Sequence, residues 1–241
     1  MSTEFILIFV MAFGAAFVQR VTGFGFGIFI MTVLPYLLPS YGEATTLSGM
    51  LSIMTAVPIL GYIWRHVSWR KLLPIMITFL VVSWLAVQLV PIVGDGLLKR
   101  VLGGVLIFAS VWFYFFNDKV HLQPSFPIQI SMGSLSGMMG GLFGMQGPPA
   151  VLYFLSTAKD KHEYMALAQA YFLIGNMVMT LYRAQSGYLT RAVGIGWLYG
   201  VVAVILAVWL GGKVFARISA ITLRKIVYAY MAISGLIALI S

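Results

Sequence analysis

The stretch Gly140-Gly141-Leu142-Phe143-Gly144-Met145-Gln146-Gly147-Pro148-Pro149 decides how this chain folds. It interrupts an apolar run over 128–156. An earlier run over 3–38 is divided at Gln19-Arg20 and carries Gly23-Phe24-Gly25-Phe26-Gly27. In a helix interior glycine costs about 1 kcal/mol and proline about 3 kcal/mol relative to alanine, so neither run reads as a continuous helix. Each also exceeds the roughly 20 residues that cross a hydrocarbon core. Where such a break lies at membrane depth, the freed N–H and C=O groups must be met by protein or by a water-filled cavity. Both stretches are expected to be broken or re-entrant helices.

The surrounding composition puts these breaks in lipid. Of 241 residues, 61% are hydrophobic and 9% charged, and the mean hydropathy is +0.99. A soluble domain carries about 25% charged residues to wet its surface. The net charge of +9 comes from Lys and Arg that fall singly or in pairs between apolar runs. They read as membrane-flanking anchors and give no nucleic-acid surface. Cysteine is absent, which excludes disulfides, thiol catalysis and thiolate metal sites. The opening Met1-Ser2-Thr3-Glu4 lacks the positive n-region of a cleaved signal peptide, so the first apolar run is expected to remain in the mature protein.

Polar clusters divide the chain into segments near 3–18, 21–38, 44–64, 72–93, 98–116, 128–156, 165–182, 194–212 and 222–240. The fold class is an all-α polytopic membrane protein with about 7–8 transmembrane helices. Sliding the chain by about 121 residues lays Gly23 on Gly144, Leu34 on Leu155 and loop 39–43 on loop 160–164. Leu98-Lys99-Arg100-Val101-Leu102 likewise resembles Leu223-Arg224-Lys225-Ile226-Val227. The chain is therefore expected to be one integral membrane domain of two repeats, 1–121 and 122–241, joined by 118–127, each opening with the Gly-rich broken helix. Paired Gly/Pro-interrupted segments in two halves point to a transporter's binding site. Lys and Arg divide nearly evenly between the two sides, so orientation is undecided. If each interrupted stretch dips in and returns, the halves become inverted copies.

A helix that ends inside the bilayer presents free N–H groups and the positive end of its dipole, both of which attract anions. Glycine lets a ligand approach the backbone closely, which makes Gly23, Gly25, Gly27, Gly144 and Gly147 candidate lining residues. Gln19, Arg20, Thr22, Gln146 and Asn176 stand near the breaks and can donate to an oxyanion. Phe24 and Phe26 would wall the pathway, and Pro148 and Pro149 would end the helix before it. All six carboxylates and all three histidines fall at the terminus or in expected loops. No central carboxylate is available to bind sodium or relay protons, which favours a small anion as cargo. No metal or cofactor is implied.

Phe17-Val18-Gln19-Arg20-Val21-Thr22-Gly23-Phe24-Gly25-Phe26-Gly27, followed by Pro35, resembles the first-repeat signature of the TauE/SafE sulfite-exporter family. The run from Gly137-Met138-Met139 through Pro149, with Tyr153, resembles its partner signature. The resemblance extends over nearly the whole chain. It implies a secondary carrier, an exporter by preference, for sulfite, thiosulfate or an organosulfonate. It also implies a multi-pass protein of the bacterial inner membrane. Arg20 stands where relatives usually have a small residue, and Gln146 and Pro148 replace glycines that many relatives use. Such departures point to a larger or differently charged anion.

Plainer readings compete at several positions. Gly196/Gly200 and Gly103-Gly104 read as close helix packing of the small-xxx-small kind, and Arg183 as an anchor at a helix end. Arg20 has an equal claim as an interfacial anchor, and Asn176 as a tie between helices. An anion channel and a non-transporting membrane subunit are the alternative functions. A membrane enzyme would need an acid–base or metal cluster that the dispersed His and acidic residues do not supply. Partners are thus the small anion and the lipid bilayer, with homo-oligomerisation left open.

Overall fold

A computed structural model describes residues 3–116 and 123–214, together with positions 232, 233, 236 and 239. Residues 118–122 of the expected joint between repeats, with Asp118 and His121, the basic run 223–227 and the end of the 213–217 loop lie outside the described residues.

Among the described residues ten α-helices follow one another: α1 (Thr3–Thr22), α2 (Phe26–Ile30), α3 (Leu34–Leu37), α4 (Tyr41–Ile63), α5 (Trp69–Val93), α6 (Asp95–Phe116), α7 (Phe126–Phe143), α8 (Gly147–Thr157), α9 (Lys161–Gln185) and α10 (Arg191–Val214). A 3-10 turn, Trp64–His66, extends α4, and there is no strand among the described residues. Among the described residues five helices are long and apolar enough to cross a membrane: α1, α4 with its extension, α5, α9 and α10. Their outward faces carry exposed Ile77, Val81, Leu198, Val202 and Ile205. An apolar exterior of this kind faces lipid, so the protein is a multi-pass membrane protein.

The two breaks fall at glycines. Gln19-Arg20 does not divide α1, contrary to the sequence expectation. The helix runs on to Thr22, because a polar side chain leaves the backbone ladder intact. The chain departs from helix at Gly23 and Gly25, with φ of 87° and 98°, a left-handed conformation that only glycine adopts cheaply. The second break is at Gly144, φ 68°, which ends α7.

Each broken stretch turns back on itself. Gln129 Nε2 of α7 donates to the Tyr153 hydroxyl of α8 at 2.8 Å, and the Ser136 hydroxyl donates to the Gln146 carbonyl, so α8 retraces α7. In the first stretch Gly14 packs against the Phe29 ring. Glu4, Phe5 and Ile8 share a surface depression with Tyr36, Leu37, Leu38 and Pro39. That end of the bundle, the α4-start face, also holds Asp95, whose carboxylate accepts from Tyr41 N at 3.0 Å. The α9-start face is opposite. There Lys71 Nζ reaches Thr157 O at 2.8 Å and the Glu163 carboxylate at 2.7 Å. The first hairpin thus opens at one face and the second at the other.

The helix starts use matching devices. Ser40 and Glu43 form a reciprocal capping box on α4, and Asp160 accepts from His162 N and Glu163 N at the start of α9. Glu43 and Glu163 therefore stand in the first helical turns, both buried, and not in loops as expected. Reading loops from polar clusters starts these helices too late, because capping residues are themselves polar.

The main pairings are α1 with α10, α5 with α7 and α4 with α9. Gly133, Gly137 and Gly141 recur every fourth residue on α7. A methyl there would meet Ile75 O, Phe79 O and Ser83 O of α5 at 2.8, 2.9 and 2.9 Å. Gly196 and Gly200 pack on Leu47 and Leu51 of α4, as small residues at helix contacts do. Nothing among the described residues packs on Gly104.

Candidate functional site

The ends of α1 and α7 are closed by side chains from α9. At the first break the Thr22 carbonyl accepts from the Tyr164 hydroxyl at 3.2 Å and the Gly23 carbonyl from Gln169 Nε2 at 2.8 Å. The Thr22 hydroxyl lies 2.7 Å from Phe24 O and accepts from Phe24 N at 3.3 Å. At the second, Arg183 Nη2 donates to Gly140 O at 2.7 Å and approaches Gly141 O at 3.4 Å, while Nη1 donates to Thr45 O at 3.1 Å. A cation at a helix C-terminus meets both its open carbonyls and the negative end of its dipole.

Between the breaks lies a small polar cavity of about 20 Å³. Gln19, Gly25, Phe26, Gly27 and Ile28 line it from the first stretch, and Gly144, Met145, Gln146 and Gly147 from the second. Ser48 and Ser52 of α4 and Phe172 and Asn176 of α9 complete it. The two breaks touch here: a methyl on Gly27 would fall on the Gly144 carbonyl oxygen. A relay of hydrogen bonds crosses the cavity wall. Asn176 Nδ2 donates to Ser52 Oγ at 3.1 Å, Ser52 to Gln19 Oε1 at 3.4 Å, and Gln19 Nε2 to Gln169 Oε1 at 2.9 Å.

Two features of this wall favour a negatively charged guest. The first amides of α2 and α8 have no carbonyl one turn earlier to bond. Pro148 and Pro149 carry no N–H, and the remaining first residues Phe26, Gly27, Ile28 and Gly147 all line the cavity. Gln146 is 5% exposed, and both its Nε2 and Oε1 lack a hydrogen-bond partner. Among the described residues no carboxylate lines the cavity.

Of the residues named from sequence, Gln19, Gly25, Phe26, Gly27, Gly144, Gln146, Gly147 and Asn176 are brought together. Six stand elsewhere. Arg20 is about 100° further round α1 than Gln19. It lines a separate cavity of about 500 Å³ towards the α9-start face, with Tyr62, Lys161, His162 and Trp209. Thr22 and Gly23 are engaged in closing the helix end, and Phe24 is buried in the core. Pro148 and Pro149 face the other way, onto an apolar groove with Val105, Phe108 and Met132. Ser48 and Ser52 were not singled out. Their signal is the spacing Thr45, Ser48, Ser52, Thr55 along one face of an apolar helix. Arg183, read as an interfacial anchor, is 2% exposed. Its guanidinium turns inward because α7 ends beside it.

Outside the membrane-spanning segments, the Asp160 carboxyl is held below the usual carboxylate range. The backbone N–H of Glu163 is the main cause, with His162 N–H adding to it.

The fold and site together define a multi-pass membrane protein in which two broken helices enclose a polar cavity. The chain belongs to the sulfite exporter TauE/SafE family, whose pattern matches residues 8–237. It is 26% identical over 227 residues to a protein of Cupriavidus necator named "probable sulfite/organosulfonate exporter TauE", covering 88% of this chain and 85% of that one. No solved structure matches the chain.

Proposed function

We propose that the protein is a secondary transporter that exports a small sulfur-containing anion such as sulfite, thiosulfate or an organosulfonate across the bacterial inner membrane. The observation that carries this reading is the meeting of both helix breaks at one cavity, beside a buried Gln146 amide that has no protein partner. The guest is held by Gln19, Gln146 and Asn176 and by the amides that open α2 and α8. Family membership and the name of the Cupriavidus necator protein support a sulfur anion as the guest.

The chain is best read as two inverted repeats, with α1 to α6 matched by α7 to the end of the chain. Under this matching α1 corresponds to α7, α4 to α9 and α5 to α10. The pairings α1 with α10 and α5 with α7 then exchange, and α4 with α9 maps onto itself. The hairpins opening at opposite faces fit the same relation. A cavity of about 20 Å³ has room for on the order of one water molecule. The arrangement is thus a closed form, and transport requires opening to each face in turn, with Gly23, Gly25 and Gly144 as hinges. A monovalent anion leaving a negative-inside cell gains about 2.3 kcal/mol per 100 mV, so export needs no coupling ion.

The test is sulfite flux in proteoliposomes under an imposed potential. Saturating, potential-driven sulfite movement supports the reading. Flux indistinguishable from protein-free liposomes overturns it, and unsaturable currents convert it to a channel.

A further inference from the structure

We infer that the Arg183 guanidinium, with the hydroxyls of Tyr41 and Thr180, forms a second anion position on the route from the central cavity to the α4-start face. This rests on the transport reading above. Among the described residues, buried side-chain polar atoms without a hydrogen-bond partner occur on Gln146, in the cavity, and on Tyr41, Thr180 and Arg183. The last three atoms are the Tyr41 hydroxyl, Thr180 Oγ1 and Arg183 Nε, and all can donate.

These groups are neighbours, and they adjoin the cavity. Asn176, Thr180 and Arg183 recur at i, i+4 and i+7 along one face of α9. All three converge on Gly49 of α4. A methyl there would stand 3.5 Å from Asn176 Oδ1, 3.4 Å from Thr180 Oγ1 and 3.7 Å from Arg183 Nη1. Asn176 lines the cavity, so Gly49 is the point at which the cavity borders the Arg183 cluster. Tyr41 lies one turn before Thr45, whose carbonyl Arg183 holds, and within electrostatic reach of the guanidinium.

Arg183 is met by carbonyls alone, and among the described residues no carboxylate lies within ion-pair distance of it. A buried cation with only dipoles for partners is incompletely compensated, and an oxyanion is its strongest complement. Among the described residues no ionisable side chain lines the central cavity. Arg183 therefore supplies a full positive charge on the route, where the cavity wall offers only neutral donors.

The test uses Tyr41→Phe/Thr180→Val, which removes both hydroxyls at nearly constant volume, and separately Gly49→Ala, whose methyl makes only ordinary contacts. Arg183→Gln adds a readout of charge preference, sulfoacetate against methanesulfonate, if it folds. The expected result is sulfite flux in proteoliposomes reduced about tenfold or more, with equilibrium sulfite binding to the detergent-purified protein within about twofold of wild type. Undiminished flux in both the double variant and Gly49→Ala overturns the second position. So does parallel loss of binding and flux in folded protein, which would make the cluster part of a single site. If wild type neither binds nor carries sulfite, the transport reading fails, and this inference fails with it.

Discussion

Gln146→Leu separates stability from function at the point where the breaks meet. The wild-type amide is buried with both polar atoms unpartnered by protein, and Gly175 of α9 leaves room for it: a methyl there would lie 2.7 Å from Gln146 Oε1. A buried amide without partners costs about 1–3 kcal/mol. A water in the adjoining cavity recovers part of that, at an immobilisation cost of up to about 2 kcal/mol. Leucine keeps the volume, and near-isosteric swaps cost less than about 1.5 kcal/mol. The ligand-free variant should therefore be more stable by about 1 kcal/mol, or about 2–4 °C in Tm for a chain of this size. Sulfite at a hundred times its Kd should stabilise wild type by about 2.7 kcal/mol, and the variant scarcely at all. The assay is thermal unfolding of both purified proteins in detergent with a sulfite series. A variant that is less stable than wild type yet keeps the full sulfite response would refute the assignment of Gln146 to the guest.

Other outcomes follow from the same geometry. Gly27→Ala drives a methyl onto the Gly144 carbonyl, where neither backbone can yield. It should cost at least the 1–3 kcal/mol typical of overpacking and abolish flux, as unfolding and transport assays would show together. Arg20→Ala should leave equilibrium sulfite binding within about twofold of wild type, because its side chain lines a different cavity. Ser40→Ala removes the cap of α4 and should destabilise by about 1 kcal/mol without changing sulfite affinity. Asp160, whose pKa is depressed in the folded protein, contributes stability that is complete above its ordinary pKa and lost as pH falls through the folded value. Thermal scans of Asp160→Asn against wild type should converge as the pH is lowered into that range.

The breaks themselves were legible in the sequence because they rest on local chemistry. Gly23, Gly25 and Gly144 occupy left-handed positions that few other residues tolerate. The direction in which the chain leaves each break was not legible. Whether α8 continues away from α7 or retraces it depends on Gln129 reaching Tyr153 and on α7 seating its glycines against α5, contacts that no local pattern encodes. The same limit explains Gln19 and Arg20. Adjacent in sequence, they point into different cavities, and only the packing of α10 against α1 fixes which faces inward. Arg183 shows the limit most plainly. Eight residues before the next helix begins, it resembles an anchor, and its burial is set by carbonyls some forty positions away in α7. Ser48 and Ser52 leave only the faint signal of small polar residues spaced along one helix face, and Asn176 opposite Ser52 gives that face its place in the cavity wall.

The most direct test is the location of a bound anion. Selenite has the pyramidal shape of sulfite and carries an anomalous scatterer, so crystals grown with it would mark the guest without ambiguity. An anomalous peak is expected between Gly27 and Gln146, within hydrogen-bond distance of the Gln146 amide that has no protein partner. A sole peak in the Arg20 cavity, or none at saturating selenite, would contradict it.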